Sequence, residues 1–363
     1  IGYSLDDISD KGVKSIAKFE SGEMAPTFNQ LDTLADLYGV PRWVFLRDEL
    51  PERYALNTMP AFRTFHEQGE RLSPKTNKIV LKTLSVRRFM IELLQEMGRA
   101  IPSFRPPDIS EQDQQANRQV VLQWLGVNDV QAWLDKIHKN NTVESLRAYL
   151  EDRGVLVFFT SRYRGKFYAK DEPFRGMAIY NDTLPIIIVN SSDALKAQAF
   201  TLMHELGHLL HGTTQLTKPN DIEEENWCND FASEFLMPEQ EFLAKARDIF
   251  LHDKTYDNLS VLAKTFGISV PACLMRLKKL KVIAQSLYSK LWATHKKITA
   301  GGKSGEPFKI TRSTPKERVD EYGKLYLRIL FDSCQQDILS PTRMMDILNL
   351  KKYDYLAKIE KKL

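Results

Sequence analysis

No stretch of this chain approaches the run of about 20 apolar residues that a bilayer-spanning helix requires, so no membrane segment is expected. The longest apolar run, around Ile186 to Val189, has the length of a buried strand. Cysteine is scarce: Cys228, Cys273 and Cys334 are odd in number and far apart. That pattern argues against a disulfide framework or a CxxC metal knuckle and points to a reducing cytoplasm. Residues Ile1–Asp10 carry neither the basic nor the apolar region of a secretory leader, so none is expected. Charge of one sign is also lacking, since 51 Lys+Arg against 47 Asp+Glu leave a net +4. This is too mild to imply nucleic-acid binding by itself. The local basic clusters Arg276-Leu-Lys-Lys-Leu-Lys281 and Lys351–Lys362 read as solvated helix faces.

What is present suits a folded protein of two or three domains: 363 residues, 43% hydrophobic and 27% charged. Residues 1–56 read as short helices with sharp turns. Ser4-Leu-Asp-Asp-Ile8 opens with an N-cap serine, Gly12 breaks the pattern, and Val13–Phe19 has helical spacing. Pro26-Thr27 starts a further helix with Leu31, Leu34, Ala35 and Leu37 on one stripe; Gly39 and Pro41 end it. Residues 57–142 form a helical connector, with helices expected over Thr76–Met97 and Glu111–Leu125.

From residue 143 the pattern changes. A helix over Val143–Glu151 stops at Gly154, and three strands are expected at Val155–Phe159, Gly176–Tyr180 and Pro185–Asn190. Ser191 or Ser192 is expected to cap a helix over Asp193–His211, and a second helix covers Ile222–Met237 before Pro238. Residues 143–285 are therefore an α+β domain, a small mixed sheet followed by helices. Residues 286–363 are a C-terminal helical extension with a helix near Val319–Cys334. Its Gly301-Gly-Lys-Ser-Gly305 turn lacks the spacing and flanking strand of a phosphate-binding loop.

The chemistry sits in His204-Glu205-Leu206-Gly207-His208. Two histidines at i and i+4 share one helix face, so both imidazoles can reach one ion. Glu205 lies about 100° around the axis from His204, close to the ion without being forced to bind it. That is where a general base for hydrolysis belongs. A catalytic zinc takes three protein ligands and keeps one open position. The acidic run Glu223-Glu-Glu225 opens the next helix, and Glu225 is the preferred third ligand, with Glu224 and Glu234 as alternatives. His211 shares the face of His204 and His208, but three ligands over two turns would be strained. It reads either as supporting the reaction from outside the ligand set or as a histidine capping the helix C-terminus. Zinc is the expected metal, although imidazole and carboxylate also suit manganese or iron.

Here the sequence resembles the ImmA/IrrE family of regulatory metallopeptidases. The resemblance rests on Pro185–Asn190, on Ala199-Phe-Thr-Leu-Met-His-Glu-Leu-Gly-His-Leu-Leu-His211, and on Glu225-Asn-Trp-Cys-Asn-Asp-Phe-Ala-Ser-Glu-Phe-Leu-Met-Pro238. It covers residues 143–285 and implies a zincin-like fold, with Glu225 as the third ligand. Cys228 stands where the family has alanine. The implied activity is cleavage of a regulatory protein, often a DNA-binding repressor. Residues 3–46 resemble an Xre/Cro-like helix-turn-helix through Phe19-Glu-Ser-Gly22 and Pro26-Thr27. The stretch Ser9–Ile16 is shorter than that module's usual turn, which makes it truncated or degenerate. Lys14, Ser15 and Lys18 are its candidate DNA contacts, and a protein partner is the alternative. Leu259–Val282 also has a helix-turn-helix look, and its expected role is packing beside the peptidase cleft. Whether the chain forms a homo-oligomer stays open.

Overall fold

The computed structural model of the chain describes residues 15–38, 42–47, 72–129, 133, 142–160, 169, 172, 174–214, 222–301 and 314–363. It divides into two compact units. One comprises Ile1–Phe89 with Asp171–Pro173, the other Met90–Lys170 with Phe174–Leu363.

In the first unit, α1 (Ile16–Glu20) and α2 (Phe28–Tyr38) precede a short 3-10 turn at Arg42–Leu46. The start of α2 is a capping box. Thr27 N–H donates to Gln30 Oε1 at 2.8 Å and Gln30 N–H donates to Thr27 Oγ1 at 3.3 Å. Ile16, Leu31 and Leu34 turn inward, as their spacing predicts. The long helix α3 (Pro74–Glu96) follows, with Ile79, Val80 and Val86 buried; from Met90 onward it belongs to the second unit.

The second unit holds α4 (Gln114–Leu125), α5 (Thr142–Asp152) and a three-stranded sheet. The strands are β1 (Leu156–Phe159), β2 (Gly176–Ile179) and β3 (Ile186–Val189), in the order β1-β3-β2. β1 runs parallel to β3 and β2 antiparallel to it, pairing Phe159 with Val189 and Gly176 with Val189. The central β3 and its neighbour β1 are buried along their whole length, which explains their unbroken apolar sequence. All three strands fall within a residue of the positions their β-branched runs predict.

The helix α6 (Leu195–Leu210) lies against β2 and β3, and α7 (Ile222–Leu236) packs along α6. The start of α6 departs from expectation. Ala194 is its N-cap and no side chain caps it, because Ser192 is engaged elsewhere: its Oγ donates to Asn190 Oδ1 at 2.7 Å. The core then continues through α8 (Glu239–Ala246), α9 (Tyr256–Thr265), α10 (Val270–Lys279) and α11 (Gln285–Gly301). The chain closes with α12 (Thr314–Gln335), α13 (Pro341–Leu348) and α14 (Asp354–Glu360). No single described helix is long and apolar enough to cross a membrane.

Gly323 breaks α12 with φ +80° and ψ 165°. There the α5 pair Arg147 and Glu151 enters. Arg147 Nε meets Glu151 Oε1 at 2.8 Å, and its guanidinium also donates to the carbonyls of Val157 and Asp320. Glu151 Oε2 accepts the backbone N–H groups of Lys324 and Leu325 at 3.0 and 3.1 Å, capping the second half of α12 from another helix. A side chain on Gly323 would collide with both Glu151 and Arg147. This pair ties α12 to the β1 edge of the sheet.

Candidate metal centre

Two helices build the site. α6 carries His204 and His208 one turn apart, and α7 brings its first-turn acids beside them. The approach of α7 depends on Gly207. A Cβ there would lie 2.9 Å from Cys228 Sγ and 3.3 Å from the Cys228 backbone, so any larger residue would push the helices apart.

The two imidazoles converge through their Nε2 atoms, 3.2 Å apart. Glu225 closes the group, with Oε1 3.1 Å from His208 Nε2 and Oε2 3.4 Å from His204 Nε2. Ligand atoms held tetrahedrally at zinc–nitrogen and zinc–oxygen distances lie about 3.3 Å from one another. The three separations fit that spacing. Two imidazole nitrogens facing each other across a carboxylate are awkward neighbours unless protonated or bridged by a cation, so the donor set suits a divalent metal.

His208 is held from behind. Its Nδ1 lies 2.7 Å from Glu224 Oε1, and the single hydroxyl proton of Thr213 is within reach of two acceptors, that same carboxylate and the His208 carbonyl 3.0 Å away. With Nδ1 donating to Glu224, loss of the Nε2 proton to an incoming metal would leave the Nε2 lone pair facing His204 and Glu225. Cys228 Sγ touches the same Nδ1 at 3.6 Å and is fully buried. His208, Glu224 and Cys228 thus form a second group of donors on the far side of the ring.

Glu205 lies beside this group and reaches the start of β2. Its carboxylate fills the space left open by Gly176, where any side chain would collide with it and with Thr201. Oε2 of Glu205 is buried without a hydrogen-bond partner among the described residues. Burial drives its carboxyl up to about 7, although the neighbouring His204 and His208 pull the other way. Burial alone would lower the His208 imidazolium. Its hydrogen bonds with Cys228 and Glu225 and the charge of Glu205 outweigh that and carry it up to about 11. Glu225 follows the reverse logic: burial raises it, but hydrogen bonds from His204 and His208 bring it down to about 2.

Of the residues marked by sequence, His204, His208 and Glu225 meet at one point. Glu224 sits behind His208, and Glu234 is withdrawn into a buried ion pair with Arg276. His211 is the C-cap of α6 and stands outside the group; its ring lies edge-on to Trp227 at 4.3 Å between centroids. Its Nε2 is buried and unpartnered among the described residues. Ser15 precedes α1, Lys18 is exposed on it, and Lys14 lies outside the described residues. Sequence reasoning missed Thr213, Gly176 and Gly207 altogether. For Glu224 the signal was there, because adjacent acids on a helix point about 100° apart and cannot face the same ion.

No curated protein matches the chain. Residues 150–278, running from the end of α5 to α10, match the family model Peptidase_M78, the IrrE N-terminal-like domain, and this part of the chain is a metallopeptidase-like domain.

Proposed function

We propose that residues 143–285 are a zinc-dependent endopeptidase domain that hydrolyses a peptide bond in a regulatory protein. The observation that carries this reading is the convergence of His204, His208 and Glu225 at tetrahedral ligand spacing, with an unpartnered Glu205 carboxylate beside them. His204 Nε2, His208 Nε2 and Glu225 would hold the metal. A divalent ion bound there supplies a Lewis acid that polarises a carbonyl and makes water acidic near neutral pH.

The chain's own residues supply the rest. Glu205, raised toward 7 by burial, is matched to taking a proton from the attacking water at Oε2 and returning it to the leaving amine. Glu224 and Thr213 fix the tautomer and tilt of His208. His211, whose Nε2 is unpartnered among the described residues, would support the reaction from outside the ligand set. The substrate read from the resemblance is a DNA-binding repressor. In the same reading, residues 1–56 are a helix-turn-helix module that selects location or partner through Lys14, Ser15 and Lys18. Residues 57–142 are its connector and 286–363 an extension of the peptidase.

Elemental analysis of the purified wild type beside His204→Ala tests the metal. About one zinc per chain, lost in the variant, is expected. Glu205→Gln should keep the metal and lose roughly 10²–10⁴-fold in cleavage of a repressor substrate. A fully active Glu205→Gln enzyme would overturn the general-base role. Absence of metal from the wild type even after zinc is supplied would instead favour a binding regulator with a peptidase-like fold.

A further inference from the structure

Residues 258–305 contain no Asp or Glu but nine Lys or Arg. Removing those nine charges from the net +4 leaves the rest of the chain at −5, so the basic charge is concentrated in one segment. Its described part, residues 258–301, covers α9 after its first two residues, Tyr256 and Asp257, and then α10 and α11; Lys303 lies outside the described residues. The first two helices meet at 97° across the four-residue turn Phe266–Ser269, in which Gly267 takes φ +64°.

Packing sorts its eight described cations into two sets. Arg276 is buried in an ion pair with Glu234, and Lys279 is paired with Asp230; both acids belong to α7, so these two cations fasten α10 to the metallopeptidase-like core. Lys264, Lys278, Lys281, Lys290, Lys296 and Lys297 are exposed and have no carboxylate partner among the described residues. The expected packing role of this segment and a free basic face therefore coexist on opposite sides of the same helix.

Beside Lys278 and Lys296 stands a ladder of aromatic rings. Tyr288, Trp292 and His295 follow one face of α11 at i, i+4 and i+7. Tyr288 and Trp292 lie nearly parallel, 9° between planes, and His295 continues the row 5.8 Å from Trp292. Tyr256 of α9 holds His295 through a 2.8 Å hydrogen bond to Nδ1. On the α10 side the Tyr288 hydroxyl donates to Met275, whose side chain is 52% exposed. Lys278 Nζ rests 4.8 Å from the centre of the Tyr288 ring, and Lys296 Nζ 5.7 Å from that of Trp292.

We infer that this α10–α11 face binds single-stranded nucleic acid. Alternating ring faces and unpaired ammonium groups are what a strand with splayed bases needs: stacking for the bases and cations for the phosphodiesters. Lys278 and Lys296 are exposed, while Tyr288 and Trp292 are half-buried against the core, so a base that displaces an ammonium from its ring would stack on the part of the ring left uncovered and the freed lysine can take a phosphate. A duplex, with its bases already stacked, would use the lysines but not the rings.

The test is fluorescence anisotropy of a labelled 20-nucleotide single strand and of the matching duplex, titrated with the full chain across a salt series. The single strand is expected to bind more tightly than the duplex, and more weakly as salt rises. Trp292→Ala should weaken single-strand binding about five- to a hundred-fold, and Trp292→Phe should restore most of it. Lys278→Ala with Lys296→Ala should reduce the salt slope by about 0.7 for each lysine. The lysine variants keep the α11 core intact, so they report on the face even if Trp292→Ala is unstable. Absence of binding at low salt, or binding unmoved by every one of these variants, overturns the proposal. So does equal binding of strand and duplex with Trp292→Ala unchanged, which would mean a polyanion effect only.

Discussion

Glu224 and Glu225 are neighbours in sequence with the same side chain, and the fold sends them to different atoms of one histidine. Glu225 meets the Nε2 side and Glu224 the Nδ1 side. Glu225→Ala removes a proposed ligand, so metal content should collapse. Glu224→Ala only frees the His208 ring, which should cost about 10–100-fold in metal affinity. Equilibrium dialysis with zinc separates the two; equal losses would refute the assignment. The same residues set a pH dependence for the metal-free chain. Glu225, lowered to about 2, stabilises fully above its ordinary 4.5 and loses that contribution as pH falls toward 2. His208, raised to about 11, stabilises fully below 6.5 and loses that contribution as pH climbs toward 11. Glu205, raised to about 7, adds a penalty as it ionises above 4.5. Together they place the stability maximum of the metal-free site near pH 4.5, with stability falling as pH rises above it. Metal binding needs the deprotonated ligands and so reverses the trend. The gap in melting temperature between zinc-loaded and chelated protein is therefore expected to widen from pH 6 to pH 8. A gap that narrows over that range would sink the ligand assignment.

Among the elements, α6 and α12 have the most consequential placements. The axial position of α6 is set by two glycines on its neighbours' contact lines, Gly207 facing Cys228 and Gly176 facing Glu205. Gly176→Ala is expected to displace the Glu205 carboxylate and lower cleavage while leaving metal content near wild type, which elemental analysis beside an activity assay would show. α12 is held by the buried Arg147–Glu151 pair and the break at Gly323. Glu151→Ala would strand the Arg147 charge and two backbone N–H groups, a loss of about 3–5 kcal/mol. Urea denaturation at neutral pH should show it as a lower midpoint; an unchanged midpoint would mean that α12 docks by apolar contact alone. The helix-period and alternation signals located α3, α5, α6, α7 and all three strands within a residue or two, and α4 to within three at its start. They did not foresee the kink in α12, because a glycine inside a helical pattern reads the same whether the helix continues or breaks. Nor did they foresee the uncapped start of α6, since Ser191 and Ser192 look like caps until Asn190 claims Ser192.

For the molecule as a whole, the metal is expected to act as a structural ligand as well as a reagent. Free zinc at 100 times its dissociation constant should add about 2.7 kcal/mol to unfolding. Calorimetry of wild type and His204→Ala, each with and without zinc, checks this: only the wild type should shift. The charge distribution carries a second expectation at this scale. A chain of mild net charge behaves as a weak polyelectrolyte on average. Concentrating its cations in residues 258–305 lets one face act as a strong one.

Residue identity and spacing alone determined the α+β class, the strand and helix positions, and the pairing of His204 with His208. Each of these follows from a local period: two residues for a buried strand, about 3.6 for a helix face. Contacts between residues distant in sequence have no such period. Only the tertiary structure could therefore decide which of Glu224, Glu225 and Glu234 faces the imidazoles. It alone showed that Arg276 and Lys279 are tied to α7 while Lys278 is free, and that Gly176 and Gly207 are the small residues that let the helices and the sheet edge close around Glu205.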